Sequence, residues 1–280
     1  MLFFLAWFLF QNAGAPQTPN HGGTKVVVRH TAANHTSEWV TYVMADRRRI
    51  ETHLTAQQRN AAGALEFVDE PGNIRILRCD LGKSLILNSN AGEYISEPYP
   101  PKPLTPEELE QRAWKEPEGA EAAAIPTVRY EITTADTGES KIFFGRVAWH
   151  VITTRKQIYL ESPTPPEEYV TDGWYIDFDT RISCEPEQPQ EIKSPGYLFV
   201  GVGGKGVPIQ RMEYVEFGPR VRGFAVEEVE TSKSSTNPPA YARNSSGSLR
   251  ELKVTQFVED TLDPALFEVP PGFKQIEKLP

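Results

Sequence analysis

The sequence predicts a mainly β protein with few helices, and three observations lead there. Short segments alternating apolar and polar residues recur along most of the chain, which is the period of half-buried strands. Clusters of Gly, Asn, Asp and Pro separate them, and these are the residues that tight hairpin connections need. Only one stretch carries a full set of helix-start signals. A length of 280 residues suits one large β domain, because sandwiches and barrels reach ~200 to 250 residues as single units.

At the N-terminus, Leu2 to Phe10 is an apolar run followed by Ala13-Gly14-Ala15. That is the hydrophobic core and small-residue cleavage pattern of a secretory signal, so residues 1–15 read as a signal peptide or an N-terminal tether. The run is shorter than the ~20 apolar residues that a membrane span needs. Residues 16–24 form a polar leader, and 25–280 are read as one domain. Within it, Lys25 to Arg29, Ser37 to Ala45 and Arg48 to His53 are strands, the last two an antiparallel pair. Arg47, Arg48 and Arg49 are the only basic run. They are expected at a solvated strand end, as charged side chains usually are.

Ile74 to Cys79, Lys83 to Asn88 and Glu93 to Ser96 form a meander, separated by Asp80-Leu81-Gly82 and Ser89-Asn90-Ala91-Gly92, whose Gly and Asn tolerate the positive φ of hairpin turns. Residues 97–126 are a proline-rich insertion. In it, Thr105-Pro106-Glu107-Glu108 is a capping box with proline at the first helical position, which predicts a helix from Pro106 to Lys115. Its apolar stripe, Leu109, Ala113 and Trp114, is narrow, so the helix is expected on the surface of the sheet.

Beyond the insertion, Thr127 to Thr134 is a strand and Asp136-Thr137-Gly138 a turn. Lys141 to Thr153 is expected to be one central strand, apolar on both faces, with a bulge at Gly145. Pro163 to Glu168 reads as a short helix, and Gly173 to Asp179 as a strand. Gly196 to Val202 and Val207 to Phe217 flank Gly203-Gly204-Lys205-Gly206 as a hairpin. That is not a phosphate loop, because no Ser or Thr follows the Gly-Lys pair and no helix follows the loop. Arg222 to Glu230 is a further strand. In Leu252 to Phe273, an alternating strand leads into a clasp: Asp263 caps a turn opened by Pro264 and directs Leu266, Phe267 and Val269 onto the sheet.

The formal charge of −9, from 38 acidic and 29 basic residues, argues against a nucleic-acid partner. His30, His35, His53, Asp46 and Glu51 lie near one another in sequence, but such residues in edge strands are ordinarily solvated. No catalytic motif occurs, and the chain is read as non-enzymatic with no cofactor. The spacings CxxC and HExxH are missing, so no metal site is expected. Cys79 and Cys184 form one disulfide if the chain is exported, or remain two buried thiols in the cytosol.

Four segments carry a family resemblance: YVMADRRRIE (Tyr42 to Glu51), CDLGKSLILNSNAGEYIS (Cys79 to Ser96), GVGGKGVPIQRMEYVE (Gly201 to Glu216) and QFVEDTLDPALFEVPPGF (Gln256 to Phe273). With them the chain resembles the superfamily of LolA-like bacterial lipoprotein carriers, and more closely the exported proteins of the DUF4412 type. Asp80-Leu81-Gly82-Lys83 and Phe267-Glu268-Val269-Pro270-Pro271-Gly272 match that group's hairpin and terminal clasp, and the likeness spans most of residues 25–275. The resemblance implies a strongly curved antiparallel sheet, an unclosed barrel, with helices covering an apolar concave side. It further implies an exported, periplasmic binding protein for lipid or for the acyl chains of lipoproteins. The alternative is a structural or regulatory envelope protein that meets a protein partner and has a filled cavity. In the lipid reading, Leu109 and Trp114 turn inward over the mouth of the hollow, and Phe143, Phe144 and Trp149 supply its walls.

Overall fold

The computed structural model describes residues 22–32, 35–59, 65–103, 105, 107, 125–185, 196–202, 205–221, 223–233 and 249–277. Of the expected Pro106–Lys115 helix only Glu107 is described, and it is helical; Leu109 and Trp114 lie outside the described residues. The elements are strands β1 (Gly22–Ala32), β2 (His35–Met44), β3 (Arg47–Arg59), β4 (Leu65–Arg78), β5 (Lys83–Asn88), β6 (Glu93–Pro98), β7 (Thr127–Phe143), β8 (Arg146–Tyr159), β9 (Glu167–Ile176), β10 (Gly196–Val202), β11 (Lys205–Phe217), β12 (Phe224–Lys233), β13 (Arg250–Thr261) and β14 (Lys274–Gln275).

All fourteen join one sheet in the order β10-β11-β7-β8-β9-β12-β13-β1-β2-β3-β4-β5-β6-β14. Every pairing is antiparallel except β11 with β7 and β14 with β6. The order does not return on itself, so the sheet is unclosed, with β10 and β14 at its two edges. The expectation of helices covering the concave side does not hold: apart from the single helical residue Glu107, the helical elements among the described residues are two 3-10 turns, Cys79–Leu81 and Pro264–Phe267. Nor is there a helix at Pro163 to Glu168, where irregular chain leads directly into β9.

Between β7 and β8 the turn and the bulge exchange places relative to expectation. Asp136-Thr137-Gly138 does not reverse the chain. It is a bulge that shifts the β7–β8 register between Asp136 and Ser140. The bulge is held locally by Gly138 N donating to Asp136 Oδ1 and Glu139 N donating to Thr137 Oγ1. Reversal occurs at Phe144-Gly145, with φ of 53° and 76°. A two-residue hairpin of the primed type requires positive φ at both central positions, and Gly145 accepts that without strain. The run Lys141 to Thr153 is therefore two paired strands rather than one.

Two crossing segments take over the covering role. One is the C-terminal clasp. Asp263 accepts a hydrogen bond from Ala265 N and Pro264 opens the turn. Phe267 is thereby driven to 0% exposure in a cluster with Met44, Ile76, Leu85, Leu87 and Leu262. The other is the strap formed by residues 177–185, which ends at a disulfide between Cys184 and Cys79, their Cα atoms 5.4 Å apart.

The basic run, expected in solvent, fastens both. Successive strand residues point to opposite faces. Arg48 reaches the strap on one face, donating to Thr180 O at 3.3 Å and pairing with Glu185. Arg49 reaches the clasp on the other face, donating to Leu266 O at 2.8 Å, and is only 8% exposed. Arg78, buried and opposite Arg47 in β3, donates to Phe267 O and pairs with Glu268. Two arginines facing each other would repel. Asp80 relieves this by pairing with Arg78 at 2.8 Å and Arg47 at 3.0 Å, and those bonds, Arg78's first, hold its carboxyl below the usual range.

A second apolar cluster joins Ala148 and Ile176 of β8 and β9 to Val226, Val254, Val26 and Val28 of β12, β13 and β1. The alternation expected in β13 is interrupted by a register shift opposite Val27/Val28. In consequence Phe257, not Val258, faces the same way as Val254, and Val258 is exposed.

Candidate functional site

The strap closes only one end of its sheet face. Along β2, Val43 is paired with Arg48 beneath the strap, while Ser37 and Trp39 lie further along the same face. There the strand registers bring His30, Leu252 and Glu228 into one row and Arg250, Glu230 and Thr171 into the next. These residues and Trp39 line a hollow of about 490 Å³, within the ~300 to 1,000 Å³ common for small-molecule sites. Its walls come from β2 and β9, which are separated by β1, β13 and β12. On a flat sheet those outer strands would stand about 19 Å apart at ~4.8 Å per strand. Lining one hollow requires the sheet to bend toward this face.

The lining is aromatic and charged, with Leu252 the main aliphatic element. Trp39 is 46% exposed and its ring lies 5.1 Å from that of His30. Burial lowers the proton affinity of His30, and Glu228 only partly offsets this. Glu230 is balanced by Arg155 at 3.6 Å and Arg250 at 3.8 Å. Glu228 accepts a hydrogen bond from the Tyr175 hydroxyl at 2.7 Å, and burial together with that carboxylate holds the hydroxyl above its ordinary value. Arg155 lies over the Tyr169 ring at 4.8 Å, and Tyr169 donates to Glu167 at 2.7 Å. Its hydroxyl is pushed up to about 12, mainly by burial. Further along β7 and β11, Tyr130 and Tyr214 stack at 5.2 Å. A surface of this composition offers ring faces and fixed charges to a ligand.

Two other polar groupings lie elsewhere on the sheet. Arg29, Glu38, His53, Thr55 and Asp69 border a hollow of about 810 Å³ on the opposite face of β1–β4. Its charged groups pair internally, Arg29 with Glu38 at 3.2 Å and Thr55 with Asp69 at 2.6 Å. His150 contacts Asp172 at 2.8 Å and Thr137 at 3.1 Å, and stacks on Trp174 at 4.6 Å. The Thr137 hydroxyl also donates to His150 O and accepts from Glu139 N. This hydroxyl, imidazole and carboxylate series fastens the bulge in β7. Among the described residues, no group of three or more His, Cys, Asp or Glu could hold a metal ion.

Among the sequence-predicted wall residues, Phe143 and Phe144 are neighbours, 6.5 Å between ring centroids. Phe143 packs near Trp174, 6.1 Å between ring centroids, under Lys141. Phe144 sits at the hairpin turn and stacks on Phe257 at 5.8 Å. Trp149 lies on the other face of the hairpin from Phe143, against Gly223, where a Cβ would come within 2.8 Å of its ring. The residues lining the hollow were missed as a set because each belongs to a different strand. The only local signal is an aromatic or charged residue at an alternate position of an otherwise ordinary strand. Compared with models of protein families and with curated proteins, the chain matches none of them.

Proposed function

We propose that this is a non-catalytic binding protein of an extracytoplasmic compartment, taking a lipid or an acylated protein on the bent sheet face. The observation that carries the reading is the open hollow, whose indole and leucine surface adjoins fixed charges, as an amphipathic ligand requires. An acyl chain buried there gains ~0.8 kcal/mol per methylene before association costs. The Cys79–Cys184 bridge accords with an oxidising compartment, as does the signal-like run at residues 2–10. The carrier resemblance in the four quoted segments points the same way.

Native mass spectrometry of protein purified from its own envelope should show copurified lipid. Delipidated protein should bind lysophosphatidylglycerol saturably, and Leu252→Asp should abolish this. A second reading, an envelope protein acting through protein contacts, is favoured by the filling of both apolar clusters with the chain's own side chains. Well-folded protein that carries no lipid and binds no lysophospholipid would establish that reading over the first.

A further inference from the structure

The hollow is lined by three acids, Glu228, Glu230 and Glu251, against Arg250, with Arg155 beside Glu230, and this acidic excess names a ligand chemistry. Glu230 is matched by Arg155 and Arg250. Glu228, half-buried on β12, uses Oε1 to accept from Tyr175, and among the described residues its Oε2 has no hydrogen bond and the carboxylate no ion pair. This acid lines the same hollow as the half-exposed Trp39 indole and the His30 imidazole. Burial disfavours a charge on His30, so at neutral pH the imidazole acts as a ring and not as the missing counter-ion.

We infer that the hollow binds an alkylammonium group, the cationic end of an amine or of a zwitterionic lipid, through the Glu228 carboxylate with Trp39 as the ring face. The chemistry fits a quaternary or primary ammonium better than a metal ion or a guanidinium. A metal would require several oxygen ligands converging on one point. A guanidinium prefers a carboxylate with both oxygens free for a bidentate pair, and Tyr175 already occupies one. An ammonium needs one carboxylate oxygen and the negative face of an aromatic ring, the pairing found in aromatic cages. Anchoring the polar end this way would leave an attached chain to run over Leu252. In that form the inference rests on the lipid reading above, although the ammonium site stands or falls on its own chemistry.

The probes are choline chloride, its neutral isostere 3,3-dimethylbutan-1-ol, lysophosphatidylcholine and lysophosphatidylglycerol, titrated calorimetrically into delipidated full-length protein. Choline is expected to bind saturably and the neutral isostere not to bind. Glu228→Gln and Trp39→Ala should each weaken choline by roughly tenfold or more, given a desolvated cation–π contact and one lost charge pair. Tyr175→Phe, which keeps the carboxylate, should leave choline bound. Should Glu228→Gln fail to fold, Trp39→Ala and the isostere decide. Lysophosphatidylcholine binding that is stronger than lysophosphatidylglycerol binding, and that loses this preference in Glu228→Gln, identifies a lipid headgroup as the source. Choline binding without either lysolipid identifies a free amine and removes the lipid reading alone. Lysophosphatidylglycerol binding with no choline binding overturns the ammonium site and leaves the lipid reading standing. Equal binding of choline and its isostere, or of choline to wild type and Glu228→Gln, also overturns it.

Discussion

The same strands are built differently at their two ends. Where β2 turns into β3 and β4 into β5, the sheet is covered on both faces. The strap is held by Arg48, the clasp by Arg49 and Arg78, and the disulfide closes the end. At the far end of β1, β2 and β13, no described segment crosses the hollow's face. Aromatic rings and carboxylates stand half exposed there. The contrast separates two uses of charge in one sheet. Arginines at the closed end satisfy backbone carbonyls and acids of distant segments, which contributes to stability because buried donors and acceptors are costly to leave unpaired. At the open end an acid is left with capacity to spare, which contributes little to stability and is available for recognition.

Breaking the closed end should have the largest effect. Replacing Cys79 and Cys184 with alanine opens a loop with a sequence separation of 105 and should cost about 4 to 5 kcal/mol in the chain-entropy account, read from urea midpoints. Thiol labelling of unreduced, denatured wild type should find no free cysteine, and two labelled cysteines would refute the bridge. Next, Phe267→Ala should cost about 3 to 5 kcal/mol, as for other fully buried aromatics. Trp39→Ala at the open end should change stability by only about 0.5 kcal/mol. Comparable losses from the two would show that the hollow is core rather than site.

The smallest effect is in pH, and it has two windows. His30 binds protons less well folded than unfolded, so its contribution is complete above its ordinary value of 6.5 and is lost as pH falls below it. Asp80 is held below its ordinary value of 3.8, so the stability it lends the clasp is present above 3.8 and is lost only as pH falls through its lower folded value. Stability measured against pH should therefore decline in two steps on acidification. His30→Gln should remove the upper step and leave the lower. A single step in wild type, or an upper step that survives in His30→Gln, would reject the assignment.

Much of the closed end was legible in the sequence because its signals are local. The Asp263 cap, Pro264 and the buried Phe267 lie within five residues, and Asp80-Leu81-Gly82 turns where its glycine adopts φ of 59°. The basic run was misread because the strap and clasp carbonyls that Arg48 and Arg49 reach are 132 and 217 residues away, which periodicity cannot register. Asp136-Thr137-Gly138 and Phe144-Gly145 are both able to turn, with Gly138 and Gly145 at the same φ of 76°. What decides between them is the register of β8 against β7 and β9, a property of the whole sheet. The hollow was illegible for the same reason: five strands meet there, and no segment contains two of its opposing walls.

The position of β13 has a consequence for how the chain assembles. β1 through β6 follow one another as neighbours, and β7, β8 and β9 do likewise, so each group is built from nearby residues. Within the sheet the two groups are joined through β12 and β13, and β13 pairs along β1 from Thr31 to Gly22 but with β12 only from Glu227 to Glu230. This strand is synthesised after β1 through β12, and its partner β1 is the first strand described. Closing so long a span is slow relative to hairpin formation. The inner edges of the two groups, the second extended by β12, would thus stay unpaired in the sheet until β13 arrives. Those edges are where premature association would begin. A chain stopped before Arg250 should form both groups yet aggregate, which light scattering of such a truncation would reveal; a soluble truncation would remove β13 from its place as the late keystone.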